Sequence, residues 1–183
     1  PAALNVLYIS QLARDKGVKV LLSGLGGDDI FTGYRRHYAL HLDRWLGLMP
    51  RIFRASIESF TKSHYSSIAF FRRLAKLFNG STLEGDERII NYFRWADQRL
   101  VQSLFKKEIR LELSLSNRSN PMSDFLQFLP NDLSALDKML ALEQRFFLPD
   151  HNLTYTDKMS MAAGVEVRVP FLDFYLVEFV AKI

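Results

Sequence analysis

Two adjacent carboxylates and a serine lie among glycines near the start of this sequence, and together they suggest phosphate chemistry. The stretch VLLSGLGGDDIFTGY, residues 20–34, places Asp28 and Asp29 directly after SGLGG. Glycines let the backbone adopt positive φ and approach an anion closely. Mg²⁺ is commonly bound by one or two carboxylates together with phosphate oxygens. The pattern therefore predicts a phosphate-binding loop in which Asp28 or Asp29 bridges to phosphate through Mg²⁺.

The elements around this loop are those that would present it to a ligand. VKVLL, residues 18–22, is short, apolar and β-branched, which predicts a buried strand. In an open α/β sheet, ligands bind beyond the carboxyl end of a strand, and a following helix points free N–H groups at the same place. A structural alternative stays open, in which the glycines form a tight turn and Asp28 caps a helix. The spacing matches neither the Walker pattern nor the dinucleotide fingerprint.

A second group of candidate residues lies near the C-terminus. The run DKMSMAAGVEVRVPFLD, residues 157–173, sets Asp157 and Lys158 ahead of a small-residue helix. A lysine offers three donors with which to neutralise pyrophosphate oxygens. An ordinary solvated lysine is the alternative for Lys158. We interpret Glu166 and Arg168 as a structural ion pair.

Taken together, the two stretches resemble the synthetase domain of the glutamine-dependent asparagine synthetase family. The first is similar to that family's Leu-Ser-Gly-Glu-Gly-x-Asp-Glu-x-Phe-x-Gly-Tyr signature. Its matching positions are Leu22, Ser23, Gly24, Gly26, Asp28, Phe31, Gly33 and Tyr34. The second is similar to the family's Asp-(Lys/Arg)-x-Ser-Met-x-x-x-x-Glu-x-Arg-x-Pro-Phe-Leu-Asp run. Its matching positions are Asp157, Lys158, Ser160, Met161, Glu166, Arg168 and residues 170–173.

The resemblance implies an α/β fold, namely a mostly helical C-terminal portion of an adenine-nucleotide alpha-hydrolase-like (Rossmann-like) ATP pyrophosphatase domain with about one parallel strand. It also implies a cytoplasmic, ATP-dependent, amide-forming ligase of the kind used in asparagine biosynthesis. Such an enzyme uses ATP and Mg²⁺ to activate a small-molecule carboxylate as an acyl-adenylate, with release of pyrophosphate. Ammonia from a glutaminase domain of the same parent chain then gives the amide.

The family's functional residues carry over by position. Asp28 would hold Mg²⁺, with Asp29 as a second carboxylate in the family's Glu position. Lys158 would grip the pyrophosphate, which makes Asp28 and Lys158 the catalytic candidates. Tyr34 and Arg35 would lie near the mouth of the site. The residues expected to bind the nucleotide are Ser23, Gly24, Gly26, Gly27 and Lys158, with Ser23 and Gly24 on the AMP phosphate side.

Leu25 stands where the family usually has Glu, which makes it the most informative position for the substrate. The family's Glu is assigned to the acyl acceptor or the incoming amine, so its replacement argues against a plain aspartate-to-asparagine enzyme. It favours a different carboxylate, such as a sugar uronic acid of a surface polysaccharide, or impaired chemistry.

Two further family features are absent from this sequence, an upstream Ser-Gly-Gly-x-Asp-Ser loop and the cysteine nucleophile of the glutaminase domain. We therefore expect residues 1–183 to be a partial synthetase domain that cannot complete catalysis alone. The oligomeric state is left open.

Most of the remaining sequence has helical periodicity. VKVLL is the one confident strand, so its partners are expected upstream of residue 1. The predicted helices cover about 2–16, 35–46, 50–61, 66–78, 86–104, 106–113, 122–128, 133–148 and 173–182.

Composition excludes several classes of protein. The absence of cysteine rules out disulfides and thiolate metal sites and fits a cytosolic address. No apolar run approaches the ~20 residues that a transmembrane helix needs.

The positive charge is concentrated in residues 35–78, which contain nine Lys or Arg and two acidic residues. The whole chain has a net charge of +4. Such a block attracts polyanions, and aromatic side chains within it could stack on bases. Those aromatic residues are Trp45, Phe53, Phe60, Tyr65, Phe70 and Phe71. We favour solvated helix faces with the aromatic residues in the core, and keep a non-enzymatic polyanion-binding module as the alternative.

Overall fold

A computed structural model describes residues 2–63, 69–96, 98–115 and 120–183. The chain divides into two compact units, of which the first comprises Pro1–Tyr34 with Leu140–Ile183 and the second comprises Arg35–Met139. Among the described residues, no helix combines the length and the hydropathy needed to cross a bilayer. The described chain is mostly helical, with one small parallel sheet, which is compatible with the α/β class.

The first unit contains the sheet and the two sequence motifs. Its elements are α1 (Ala2–Asp15), β1 (Val20–Leu22), α2 (Gly27–Phe31), a π-helix (Glu143–Leu153), α11 (Thr154–Ala162), β2 (Glu166–Arg168), a 3-10 turn (Pro170–Leu172) and α12 (Phe174–Val180). Helix α1 packs against α11, and α2 packs against the π-helix. The buried apolar side chains of this unit are Ile30, Leu142, Leu148, Ala163 and Val165.

In the described part of the second unit, all regular elements are helices. Its elements are α3 (Arg35–Leu46), α4 (Arg51–Ser63), α5 (Ala69–Phe78), α6 (Gly85–Asn91), α7 (Gln98–Ser103), α8 (Lys107–Leu115), α9 (Pro121–Gln127) and the start of α10 (Ala135–Leu142). The predicted helix over 66–78 begins at Ala69, and residues 66–68 lie outside the described residues.

The expectation of about one strand was wrong, because β2 pairs with β1 in parallel. The prediction of a buried strand was also wrong, since Val20 and Leu22 are 39% and 74% exposed. The register joins Val20 to Glu166 and Leu22 to Arg168. Strand β2 was missed because it has only three residues, two of them charged. The predicted ion pair is confirmed, with Arg168 Nε 2.8 Å from Glu166 Oε1. These charges lie on the exposed face of the strand, on the side opposite to Val167.

Two long predicted helices were also wrong in part. The segment predicted as one helix over 86–104 contains two helices, because α6 ends at Asn91 and α7 begins at Gln98. The segment predicted as one helix over 133–148 forms α10, which ends at Leu142, and then a π-helix that runs from Glu143 to Leu153. Pro149 lies inside that segment, and the wider turn accommodates a residue that has no N–H to donate.

A buried arginine joins three helices of the second unit. Arg88 is 6% exposed, and its Nε and Nη2 each donate to a carboxylate oxygen of Asp43 at 2.9 Å. Its remaining donors reach the carbonyl oxygens of Leu77 and Asn79. The Tyr92 hydroxyl donates to the same carboxylate at 2.9 Å. Burial, the largest effect, raises the pKa of Tyr92 well above its usual value, so the hydroxyl stays a donor.

We expect Arg88→Met to destabilise the second unit by about 3–5 kcal/mol, because it leaves two carbonyls without their donor and the Asp43 carboxylate without its cationic partner. Arg73→Met is the matched control, since Arg73 is exposed on α5, and it should change stability by less than about 0.5 kcal/mol. Urea unfolding followed by tryptophan fluorescence measures both, because the chain's two tryptophans, Trp45 and Trp95, lie in this unit. Equal effects of the two variants would contradict the role given to Arg88.

Candidate functional site

The glycine-rich loop is a tight turn that connects β1 to α2. The Ser23 backbone N–H donates to the Arg168 carbonyl at 2.8 Å, which extends the strand pairing into the loop. The Leu25 N–H donates to Ser23 Oγ at 3.3 Å, and the Gly27 N–H donates to the Gly24 carbonyl at 3.3 Å. Gly26 has a φ of +86°, which glycine adopts most readily, and it precedes the first residue of α2.

Some backbone donors of this loop form no hydrogen bond in the described part of the chain, and of their residues Gly24 and Asp28 are exposed whereas Gly26 is buried. Within the described ranges, the N–H groups of Gly24, Gly26 and Asp28 have no acceptor. Successive backbone N–H groups form concave surfaces that bind anions, but in this loop the unbonded donors alternate with the N–H groups of Leu25 and Gly27, which are bonded within the loop. Helix α2 has only five residues, so its dipole contributes less than the sequence suggested. Asp28 lies within the first turn of α2 and Gly26 is the N-cap, so the alternative of Asp28 as the cap was wrong.

The two adjacent aspartates have different environments. Asp28 is exposed and forms no hydrogen bond or ion pair through its side chain with the described residues. Asp29 is 1% exposed, and its Oδ2 accepts a hydrogen bond from the Tyr34 hydroxyl at 3.1 Å. Gly33 has a φ of +150°, and a Cβ there would collide with the Asp28 carboxylate. Glycine at this position therefore leaves room for the Asp28 side chain.

The second motif packs directly on the first. The Phe171 ring meets the Phe31 ring edge to face, with centroids 6.1 Å apart. The Leu172 side chain approaches Gly26 so closely that a Cβ there would lie 2.9 Å from its Cγ and closer still to one of its methyl groups. Asp173 then caps α12 by accepting the N–H groups of Tyr175 and Leu176. The sequence did not predict the packing of Phe171 and Leu172 on the loop, although both belong to the matched PFLD run.

Tyr34 lies at the centre of a polar network that the sequence did not predict. Asn152 Nδ2 donates to the Tyr34 hydroxyl at 3.2 Å, and Asn152 Oδ1 lies 2.9 Å from His151 Nδ1. The Phe147 ring contacts Tyr34 edge to face at 5.7 Å and stacks on the His151 ring at 5.1 Å. The only sequence signal was the polar DHN triplet within an otherwise helical pattern.

Lys158 lies within α11, so the expectation that it precedes a helix was wrong. It is exposed and forms no hydrogen bond or ion pair with the described residues. Ser160, two residues after Lys158 in the same helix, is buried, and its hydroxyl donates to the Asp157 carbonyl at 3.2 Å. Leu25 is half-buried in the glycine loop.

The metal-binding capacity of the site is limited. In the part of the chain that the structure describes, no group of three or more His, Asp or Glu side chains could hold a metal ion. An exposed carboxylate beside the glycine loop fits Mg²⁺ only if phosphate oxygens supply further ligands, which is the usual arrangement for this ion. The residues present therefore fit Mg²⁺ bound together with a nucleotide.

Comparison with known proteins agrees with the two motifs. Residues 1–183 match the family model described as Asparagine synthase. The chain belongs to the asparagine synthase family. It is 28% identical over 190 residues to glutamine-hydrolyzing asparagine synthetase 1 of Bacillus subtilis (strain 168), an alignment that covers 100% of this chain and 27% of that relative. The chain therefore spans about a quarter of the length of the curated relative it matches. No solved structure matches it significantly.

Membership of the asparagine synthase family confirms the resemblance drawn from the two motifs.

The packing of the second motif on the glycine loop can be tested by substituting Gly26. Gly26→Ala should cost about 1–2 kcal/mol for the positive φ and a further ~1–3 kcal/mol for overlap with Leu172. Gly17→Ala is the matched control, because Gly17 has a φ of +75° with nothing within 4 Å of the added Cβ. Chemical unfolding followed by circular dichroism gives both values. If the two variants cost the same, Leu172 does not restrict the loop.

Proposed function

We propose that residues 1–183 supply the pyrophosphate side of an ATP-dependent, amide-forming ligase. The observation that carries this proposal is the glycine loop, whose backbone N–H groups at Gly24, Gly26 and Asp28 lack acceptors among the described residues. Family membership supports an amide-forming ligase at the family level. The exposed side chains of Asp28 and Lys158 supply the charges that a nucleotide phosphate requires.

In this proposal the loop binds the nucleotide through its backbone. Ser23 and Gly24 contact the AMP phosphate, and Gly26 and Gly27 complete the same nucleotide-binding turn, where the lack of a side chain lets Leu172 and Phe171 pack against the loop. Asp28 holds Mg²⁺ together with phosphate oxygens. That ion, when bound, neutralises charge that develops on the leaving pyrophosphate.

Lys158 acts on the same leaving group. An oxygen of the substrate carboxylate attacks the α-phosphorus of ATP, the bond to the β-phosphate breaks, and an acyl-adenylate and pyrophosphate form. The ammonium of Lys158 donates to the pyrophosphate oxygens as their charge increases. Ammonia, supplied by a glutaminase domain of the parent protein, then attacks the acyl carbon and displaces AMP. Because the family's upstream ATP loop is not part of this sequence, we propose that residues 1–183 alone do not complete the reaction.

The acyl substrate is the part of the proposal that depends on Leu25. A leucine in the loop offers no charge to an ammonium group, whether on the substrate or on the incoming amine. A carboxylate without an α-ammonium, such as a sugar uronic acid, therefore fits this loop at least as well as aspartate.

The deciding experiment measures substrate-dependent pyrophosphate release by the natural full-length polypeptide with ATP, Mg²⁺ and an ammonia source. Aspartate and a panel of sugar uronic acids are offered separately. Release with a uronic acid alone supports a changed specificity, and Leu25→Glu should then lower that activity. Release with aspartate identifies an ordinary asparagine synthetase. No release with any of them contradicts the proposal.

Lys158→Met should lower the rate of pyrophosphate release about 100-fold, because it removes a donor aimed at developing charge. Lys16→Met is the control, since Lys16 is exposed in the turn after α1 and no role is assigned to it. Isothermal titration with pyrophosphate and Mg²⁺ provides a second readout, in which the affinity of the Lys158→Met protein should also fall. Equal rates for the two variants would remove Lys158 from the site.

A second candidate function rests on the aromatic residues of the basic block. The expectation that they form a core was wrong for several of them, since Trp45, Phe53, Phe60 and Phe70 are all more than half exposed. Phe71 is half-buried, and Tyr65 lies outside the described residues. Exposed aromatic rings beside arginines suit stacking on a single-stranded nucleic acid.

Binding of a fluorescent oligothymidylate between 50 and 200 mM salt, measured by anisotropy, tests this candidate. If the block binds a polyanion, affinity should fall steeply with salt, and Arg51→Gln with Arg73→Gln should reduce the salt slope by about 1–2. Affinity that is weak at low salt and unchanged in the double variant would exclude the candidate.

A further inference from the structure

The two aspartates of the glycine loop cannot be equivalent, because one is exposed and the other is buried. We propose that Asp29 is a positioning residue, which ties the loop to the π-helix through Tyr34 and Asn152 and leaves Asp28 as the one carboxylate of the pair that holds Mg²⁺. The part that concerns Asp28 rests on the proposed function. The part that concerns Asp29 stands on the geometry alone.

Asp29 is joined to the π-helix through both its main chain and its side chain. Gln144 Nε2 donates to the Asp29 carbonyl at 3.3 Å. The Tyr34 hydroxyl donates to the Asp29 carboxylate, and Asn152 Nδ2 donates to the Tyr34 hydroxyl. Gln144 and Asn152 belong to the π-helix, near its two ends. The buried loop residue is therefore held at two points by one rigid element.

The side-chain hydrogen bonds run in one direction. Because Asn152 uses its Nδ2 to donate to Tyr34, its Oδ1 faces His151, and an amide oxygen can only accept. His151 Nδ1 thus donates to Asn152, Asn152 donates to Tyr34, and Tyr34 donates to Asp29. Bonds aligned in this way polarise one another and strengthen the last one, on the carboxylate.

The aromatic contacts hold the same side chains in place. Tyr34 lies edge to face against Phe147, which stacks on His151, and His151 contacts Tyr155 with ring centroids 5.1 Å apart. Phe147, His151 and Tyr155 recur every four residues, on the π-helix and the start of α11. The π-helix therefore supplies both the ring contact and the hydrogen bonds to Tyr34. Such π-helical segments are frequent at functional sites.

The backbone between Asp29 and Tyr34 shows why the loop needs this anchor. Thr32 has a φ of +69° and is the only non-glycine residue of the described ranges with positive φ. A β-branched residue in that conformation is strained, and such strain persists only where surrounding interactions over-determine it. The hydrogen bond from Tyr34 to Asp29 closes the six-residue segment 29–34, which contains Thr32 and Gly33.

A buried Asp29 is also poorly placed to be a metal ligand. At 1% exposure its carboxylate could reach an ion bound beside phosphate only if the side chain or the surrounding loop moved. The exposed Asp28 needs no such movement, because Gly33 leaves its carboxylate room. One carboxylate is sufficient for Mg²⁺ that also has phosphate ligands.

Hydrogen–deuterium exchange of the natural full-length polypeptide tests the anchor. Tyr34→Phe and Asp29→Asn should each speed amide exchange about tenfold both in 23–34 and in 143–153, as expected for the loss of a hydrogen bond to a charged group. Combined, they should add little to either alone, because both remove the same bond. Asp28→Asn, the matched neighbour, should leave exchange in both segments unchanged. Exchange in 143–153 that responds to neither Tyr34→Phe nor Asp29→Asn overturns the proposal.

Mn²⁺ binding in the presence of ATP, followed by electron paramagnetic resonance, tests the division between the aspartates. Asp28→Asn should weaken Mn²⁺ binding at least tenfold, while Asp29→Asn and Tyr34→Phe should have equal, smaller and non-additive effects. A tenfold loss in Asp29→Asn without any in Tyr34→Phe would make Asp29 a ligand and overturn the assignment. If the unaltered protein binds no Mn²⁺ with ATP, the proposed function fails, whereas the exchange experiment still decides the role of Asp29.

Discussion

The parallel pairing of β1 with β2 is the constraint on which the candidate site depends. It joins three residues of each strand, and the bond from the Ser23 N–H to the Arg168 carbonyl continues the pairing into the glycine loop. Because the strands are parallel, their carboxyl ends lie at the same edge, where ligands of such sheets bind. The glycine loop leaves one strand there, and the Pro170–Leu172 turn follows the other, so Phe171 and Leu172 reach the loop.

Sequence reasoning recovered the features that depend on residue types close together in the chain. The glycine loop, the resemblance to a family and the Glu166–Arg168 ion pair could all be inferred from residue types and short spacings. Strand β2 could not, because three residues with two charges lack the apolar signature of a buried strand. The π-helix was also missed, since its apolar spacing near Leu148 resembles that of an α-helix.

The acidic pair shows where a one-dimensional reading fails. Adjacent residues of a helix differ by about 100° in direction, so neighbours in sequence need not face the same ligand. Helix α2 turns Asp29 toward the interior and Asp28 toward solvent. The interactions of Asp29 with Tyr34 and the π-helix, more than 100 residues away, depend on tertiary structure and leave no local pattern. The exposed aromatic residues of α4 and α5 were misjudged for a related reason, since helical spacing tells which residues share a face but not whether that face is covered.

The order of the two units along the chain has a consequence for biosynthesis. About 140 residues separate β1 from β2, and the whole of the second unit lies between them. At about 5–20 residues per second, the ribosome needs roughly 7–30 s to make that interval. During this time β1 and the glycine loop have emerged without the strand that completes them, while the contacts internal to Arg35–Met139 can already form. The strand pairing that continues into the glycine loop therefore cannot form until β2 has been made, and a chaperone that shields short apolar strands would act on VKVLL in that interval.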